Sequence, residues 1–184
     1  LEYALKGMQL DKSLNDSTAN SYLYLHLANA FLQNGFLMQA QEYINKSLDF
    51  NSNNIYSMYV KVYIQYAETK DINRTNEDLL KIYAIDTTRL DLIQEVAKSY
   101  YIKEDYQGAY KFYNKLLKAR EEQNIYLFLH EDVKIAWTYM QLGYDGKSDT
   151  LIKQFRDYIN HDKSIYKGLM MTEYYAYKGE YDLA

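Results

Sequence analysis

Apolar residues return along this chain at intervals of three and four, the spacing that turns one side of an α-helix towards a core. The pattern is clearest between residues 93 and 116. Ile93, Val96, Ala97, Tyr100 and Tyr101 share one helical face, and Ala109, Tyr113 and Leu116 share another. Lys103, Glu104 and Asp105 interrupt the pattern, so the stretch predicts two amphipathic helices joined by a polar turn. Neither stripe can be hidden by its own helix, and such a hairpin needs neighbours.

The arrangement recurs. Ala28, Tyr63, Ala97, Ala136 and Thr172 are each followed three residues later by a ring: Phe31, Tyr66, Tyr100, Tyr139 and Tyr175. Ala40, Thr75, Ala109 and Ser148 form a second series, with Ile44, Leu79, Tyr113 and Ile152 one helical turn beyond them. Successive hairpins lie about 34 to 39 residues apart, a period that signifies stacked helical repeats. Helices are predicted over 1–10, 18–34, 37–50, 55–68 and 76–85, then on both sides of 103–105 as far as about residue 120, and over 126–142, 147–158 and 165–178, with a last one opening at Tyr181. Gly35 is placed to close its helix at positive φ, Ser164 to cap the 165–178 helix, and Thr75-x-x-Asp78 and Thr88-x-x-Asp91 have the form of capping boxes. The rings at 31, 66, 100, 139 and 175 are expected to fill the gaps between adjoining repeats.

These residues resemble the tetratricopeptide repeat, a family whose pattern sets an aromatic, Leu-Gly, Tyr, Ala, Phe, Ala and Pro at fixed spacing. Tyr24, Leu27, Ala28, Phe31, Gly35, Ala40, Ile44 and Ser47 carry it best, followed by Ile93, Val96, Ala97, Tyr100, Ala109, Tyr113 and Leu116. The resemblance implies an all-α fold, a right-handed α-solenoid of stacked antiparallel helix pairs forming a TPR-like superhelix. It implies one domain over 1–184: a partial repeat at 1–16, repeats at about 17–54, 55–87, 88–123 and 124–162, and a partial repeat at 163–184, cut from a longer array. Three features depart from the family pattern. The chain has no Pro. Lys70 stands where Gly35 and Gly143 stand in other repeats, and about five extra residues separate Arg120 from His130.

Composition narrows the picture further. An apolar content of 48% with no Pro and only 7 Gly suits a helical chain with a sizeable core. The 23 Tyr read as packing residues with their hydroxyls at a wet rim. A net charge of -4 with interspersed signs gives no footprint for nucleic acid, and no apolar run is long enough to insert in a membrane. Without Cys there are no disulfides or thiolate metal sites. His26, His130 and His161 are mutually remote in sequence, and no phosphate-binding loop, nucleophile elbow or dinucleotide fingerprint occurs. The sequence therefore predicts no catalytic residue, no metal and no cofactor.

What remains is binding. The resemblance implies that the first helices of successive repeats line a concave groove. Its candidate residues are Tyr22, Leu25 and Asn29 on one helix, Val60 and Ile64 on the next, Gln94, Lys98 and Tyr101 on the third, Val133, Trp137 and Met140 on the fourth, and Leu169 and Glu173 on the last. Apolar anchors among scattered polar groups suit a peptide or helix of a protein partner, with Trp137 the foremost anchor. The clamp that some members of the family use for a C-terminal carboxylate is not expected, because Leu25, Asp91 and Glu95 stand where basic residues belong. The expected role is a protein-protein interaction scaffold, a recruiting or sensing region of a larger protein. The alternative is a structural spacer or self-association module, joined through exposed repeat ends, with no peptide ligand.

Overall fold

The computed structural model describes residues 17–184. The helix predicted over 1–10 lies outside them. Nine α-helices follow: α1 (Ser17–Gln33), α2 (Leu37–Phe50), α3 (Ile55–Thr69), α4 (Ile72–Tyr83), α5 (Leu90–Ile102), α6 (Tyr106–Gln123), α7 (Asp132–Gln141), α8 (Asp145–His161) and α9 (Lys167–Lys178). Short 3-10 turns occupy Leu129–Glu131 and Tyr181–Leu183, and no strand occurs among the described residues. The helices pair in sequence order, α1 with α2, α3 with α4, α5 with α6 and α7 with α8. The chain divides into two compact units, 1–86 and 87–184.

The repeat is visible in how the first helices end. In α1 the amide of Phe36 donates to the Phe31 carbonyl and that of Gly35 to Leu32, two bonds that together close the helix through a left-handed residue. The same pair joins Asp105 to Tyr100 and Glu104 to Tyr101 after α5, Tyr144 to Tyr139 and Gly143 to Met140 after α7, and Glu180 to Tyr175 and Gly179 to Ala176 after α9. The ring-bearing residues of the sequence repeat are thus also the residues whose carbonyls end each helix. The remaining member, Tyr66, behaves differently: its carbonyl accepts from Lys70, one residue earlier in the turn, and α3 runs on to Thr69. That is the repeat in which Lys70 replaces glycine.

Several predicted boundaries move. α4 begins at Ile72 rather than 76 because Asp71 caps it, accepting from the Arg74 amide at 3.0 Å. Thr75 lies inside the helix and returns its hydroxyl to the Asp71 carbonyl at 2.8 Å, so the Thr75-x-x-Asp78 capping box does not form. Asp91 is clasped by Arg89 at 2.6 Å, and Arg89 stands at the N-cap of α5 without a side-chain capping bond. The helix predicted over 126–142 starts only at Asp132, and the one predicted over 165–178 starts at Lys167, with Ser164 in the turn ahead of it.

In unit 1–86 the core is a cluster of Leu25, Ala28, Phe31, Ala40, Ile44, Val60 and Ile64. Phe31 stacks on Tyr43 at 5.2 Å and meets Phe36 edge-on at 6.2 Å, both within its own hairpin. Beside the cluster lies a buried polar knot. The single hydroxyl proton of Ser47 goes to the Ser21 carbonyl at 2.6 Å, so Ser57, at 2.7 Å, must donate to Ser47. Asn54 donates to Ser21 Oγ at 2.9 Å while capping α3 through the Ser57 amide. Small hydroxyl residues let three helices meet closely without an unpaired polar group.

In unit 87–184 Leu92, Val96, Ala97, Leu116, Ile135, Phe155 and Ile159 are buried. Tyr100 stacks on Phe112 at 5.7 Å, again inside its own hairpin, whereas Tyr139 reaches back to α6, with Tyr110 at 5.5 Å and its hydroxyl on Asn114 Oδ1 at 2.5 Å. Among these rings, Tyr139 joins adjoining repeats through Tyr110 and Asn114, and Phe31 shares a core cluster with Val60 and Ile64 of the next repeat. The extra residues after α6 are held by Arg120, which pairs with the buried Asp132 at 2.6 Å and donates to the Phe128 carbonyl. Burial pushes the Asp132 carboxyl above its ordinary range and Arg120 pulls it back down, with a net shift upwards. This latch sets the Leu129–Glu131 turn at the entrance to α7.

Candidate binding cleft

The residues predicted to line a groove separate into two sets according to chemistry. Leu25 of α1 and Val60 and Ile64 of α3 belong to the core cluster, and Ile64 is wholly buried. Apolar side chains on successive first helices meet one another and leave water, so these three are walls of the core rather than of a groove. Gln94 is likewise buried. Tyr22 is exposed, its ring 6.5 Å from that of Tyr56, and Asn29 and Met140 are half-buried. Lys98 pairs with Glu95 at 2.5 Å.

In unit 87–184 four of the predicted residues come together. Tyr101 of α5, Val133 and Trp137 of α7 and Glu173 of α9 line a single cleft of about 360 Å³. Lys134, Ala176, Tyr177 and Tyr181 complete it. α5, α7 and α9 are the first helices of successive repeats, and the cleft is lined from all three. Leu169, also predicted, lines an adjoining hollow of about 370 Å³ that shares Lys134 and Glu173 with the first.

The cleft is built of anchored rings. The Trp137 indole donates to the Tyr106 hydroxyl at 3.4 Å, and its ring stands 6.1 Å from Tyr177 at an interplanar angle of 75°. Tyr177 is fixed in turn: Ser148 gives its proton to the Ala136 carbonyl, so the Tyr177 hydroxyl, 2.6 Å away, donates to Ser148. Tyr101 meets Tyr106 edge-on at 6.3 Å. Side chains held at their polar tips lose little further freedom when a ligand arrives.

Charge enters through Lys134, whose ammonium lies 3.6 Å from both Glu131 and Glu173. Glu131 is almost wholly buried and accepts from the Tyr113 hydroxyl at 3.1 Å, with His130 3.4 Å from its other oxygen. The Tyr101 hydroxyl is pushed up to about 12, by burial first and then by Tyr106, Glu173 and Glu131. Lys134, Tyr177 and Glu131 were not foreseen. Tyr177 could have been found by stepping one helical turn beyond Glu173, whereas Glu131 is brought in by a turn whose geometry depends on the distant Arg120.

A larger hollow of about 560 Å³ opens between the end of α6, the turn after it and α8. Its buried charges, Arg120 and Asp132, are already committed to each other. Among the described residues no cluster of His, Cys, Asp and Glu could hold a metal ion, and no helix is long and apolar enough to cross a membrane.

No family model matches the sequence, and no curated protein matches it. Solved structures do. A tetratricopeptide repeat protein from Parabacteroides merdae aligns at a TM-score of 0.58 and 16% identity, over 89% of this chain and 62% of that one. A structure of MamA protein aligns at a TM-score of 0.55 and 17% identity, over 89% of this chain and 85% of that one. At these identities the likeness is one of fold. The chain has the all-α, helical-repeat fold of tetratricopeptide proteins.

Proposed function

We propose that the chain is a protein-interaction scaffold that holds a peptide or helix of a partner protein in the cleft lined by Tyr101, Val133, Trp137 and Glu173. The observation that carries this reading is the convergence of four sequence-predicted residues from three first helices on one hollow with pre-anchored aromatic walls. Aromatic anchors in a partly desolvated pocket are the usual source of binding energy at such surfaces. The role is one of binding rather than catalysis, in a region that recruits or senses a partner for a larger protein.

Trp137 is the only tryptophan, so its fluorescence reports on the cleft alone. Peptides selected from an unbiased displayed library on the full chain should shift that emission on rebinding. Trp137→Ala should weaken them by about 2 kcal/mol or more. Selected peptides that leave the emission unmoved and bind the variant equally well would place the binding surface elsewhere.

A further inference from the structure

The composition of the cleft says what kind of side chain it takes. We infer that it receives a cationic side chain, the guanidinium of an arginine or the ammonium of a lysine on the bound segment, set against Trp137 and Tyr177 and paired with Glu173. The inference rests on the proposed peptide-binding role and names the chemistry of the anchor.

Three observations converge. The first is ring geometry: Trp137 and Tyr177 stand nearly perpendicular, 6.1 Å apart, with Tyr101 and Tyr181 on the same cleft. Ring faces carry partial negative charge, and several rings set around one hollow form the kind of cage that holds a cation. The second is the local charge. Glu173 lines the cleft, and the one ammonium that faces it there, Lys134, is shared with Glu131, a carboxylate buried behind it. The Lys134 contacts, at 3.6 Å, are longer than hydrogen bonds, which leaves Glu173 able to accept a closer partner. The third is size. About 360 Å³ lies near the lower end of the range for small-ligand pockets, room for one long side chain rather than a large ligand. An acidic anchor meets the wrong field here. A purely aliphatic one leaves Glu173 without a new partner.

The test uses N-acetyl-arginine amide, its neutral near-isostere N-acetyl-norleucine amide, and N-acetyl-glutamate amide, each titrated into the full chain while Trp137 emission is followed. The arginine probe should bind about fivefold or more tighter than the norleucine probe, with no saturable response to the glutamate probe. Glu173→Gln should weaken the arginine probe about fivefold and leave the norleucine probe unchanged. Lys134→Gln, which removes the resident cation, should tighten the arginine probe, a gain that a misfolded variant cannot produce. Equal or tighter binding of the norleucine or glutamate probe, silence from all three, or indifference of the arginine probe to both variants overturns the assignment. The peptide-binding role is judged separately: library peptides that lack a basic residue yet depend on Trp137 sustain that role and sink the cation, and a selection that yields no Trp137-dependent peptide removes the role itself.

Discussion

At Gly108 the difference between a hydrogen and a methyl decides how closely α5 and α6 can approach. A Cβ built there would come within 2.4 Å of Tyr100 Cδ1 and 2.8 Å of its Cγ, atoms at the stiff root of the ring. Tyr100 cannot swing away freely, because it is stacked on Phe112. Alanine is the better helix former by about 1 kcal/mol, so an unconstrained site would gain from the change. Here overpacking prevails, and Gly108→Ala should destabilise the protein by about 1 to 3 kcal/mol in denaturant melts. In a double-mutant cycle, Tyr100→Ala should absorb most of that penalty, and strict additivity of the two changes would show that the clash is absent. The sequence displayed the small residues Ala97 and Ala109 but no sign that Gly108 lies against the Tyr100 ring. Periodicity ranks faces, not distances. The same limit explains Leu25, Val60 and Ile64, where spacing marked the correct helices and only packing shows that the side chains touch each other instead of a guest.

At the scale of the element, the helix endings give the firmest link between sequence and structure. Gly35, Gly143 and Gly179 take φ of 78°, 78° and 73° at the residue that closes α1, α7 and α9. Glu104 occupies the equivalent position after α5 with φ of 60°, and Lys70 follows α3 with φ of 58°. A side chain in this left-handed region costs roughly 1 to 2 kcal/mol, partly offset by the lower entropy of the non-glycine residue when unfolded. Glu104→Gly should therefore raise stability by about 0.5 to 1 kcal/mol, visible as a higher unfolding midpoint at unchanged cooperativity. A loss of stability would mean that the Glu104 side chain has a compensating role. Most helices were legible from their apolar period and glycine stops, whereas several starts were not. Asp71 outcompetes Thr75 for the head of α4, and α7 begins late because Arg120 and Asp132 fix the preceding turn through a pair separated by twelve positions in sequence.

At the scale of the whole molecule, the 23 tyrosines make alkaline pH a probe of how much of the fold depends on them. Burial above all pushes the hydroxyls of Tyr101 and Tyr139 up to about 12 and that of Tyr113 well above its ordinary value of 10. Tyr113 is further raised by Glu131, and Tyr139 by Tyr110 and Tyr144. A folded-state value above the unfolded one means that the unfolded chain gives up these protons first as pH rises. The stabilisation is present in full below about pH 10 and is lost between about 10 and 12 as the unfolded state ionises while the folded state cannot. Unfolding midpoints should stay level up to about pH 9 and then decline, with tyrosinate absorbance appearing in two stages, exposed rings before buried ones. The protein carrying Tyr101→Phe and Tyr139→Phe should start from a lower midpoint, having lost the Asn114 hydrogen bond, yet decline less steeply above pH 10. Equal slopes in the two proteins would assign the alkaline loss to Tyr113, which both retain, or to lysine deprotonation and broken ion pairs. Since Tyr101 lines the cleft, the same titration in the presence of a selected peptide should shift the buried stage upward only if the peptide covers that ring.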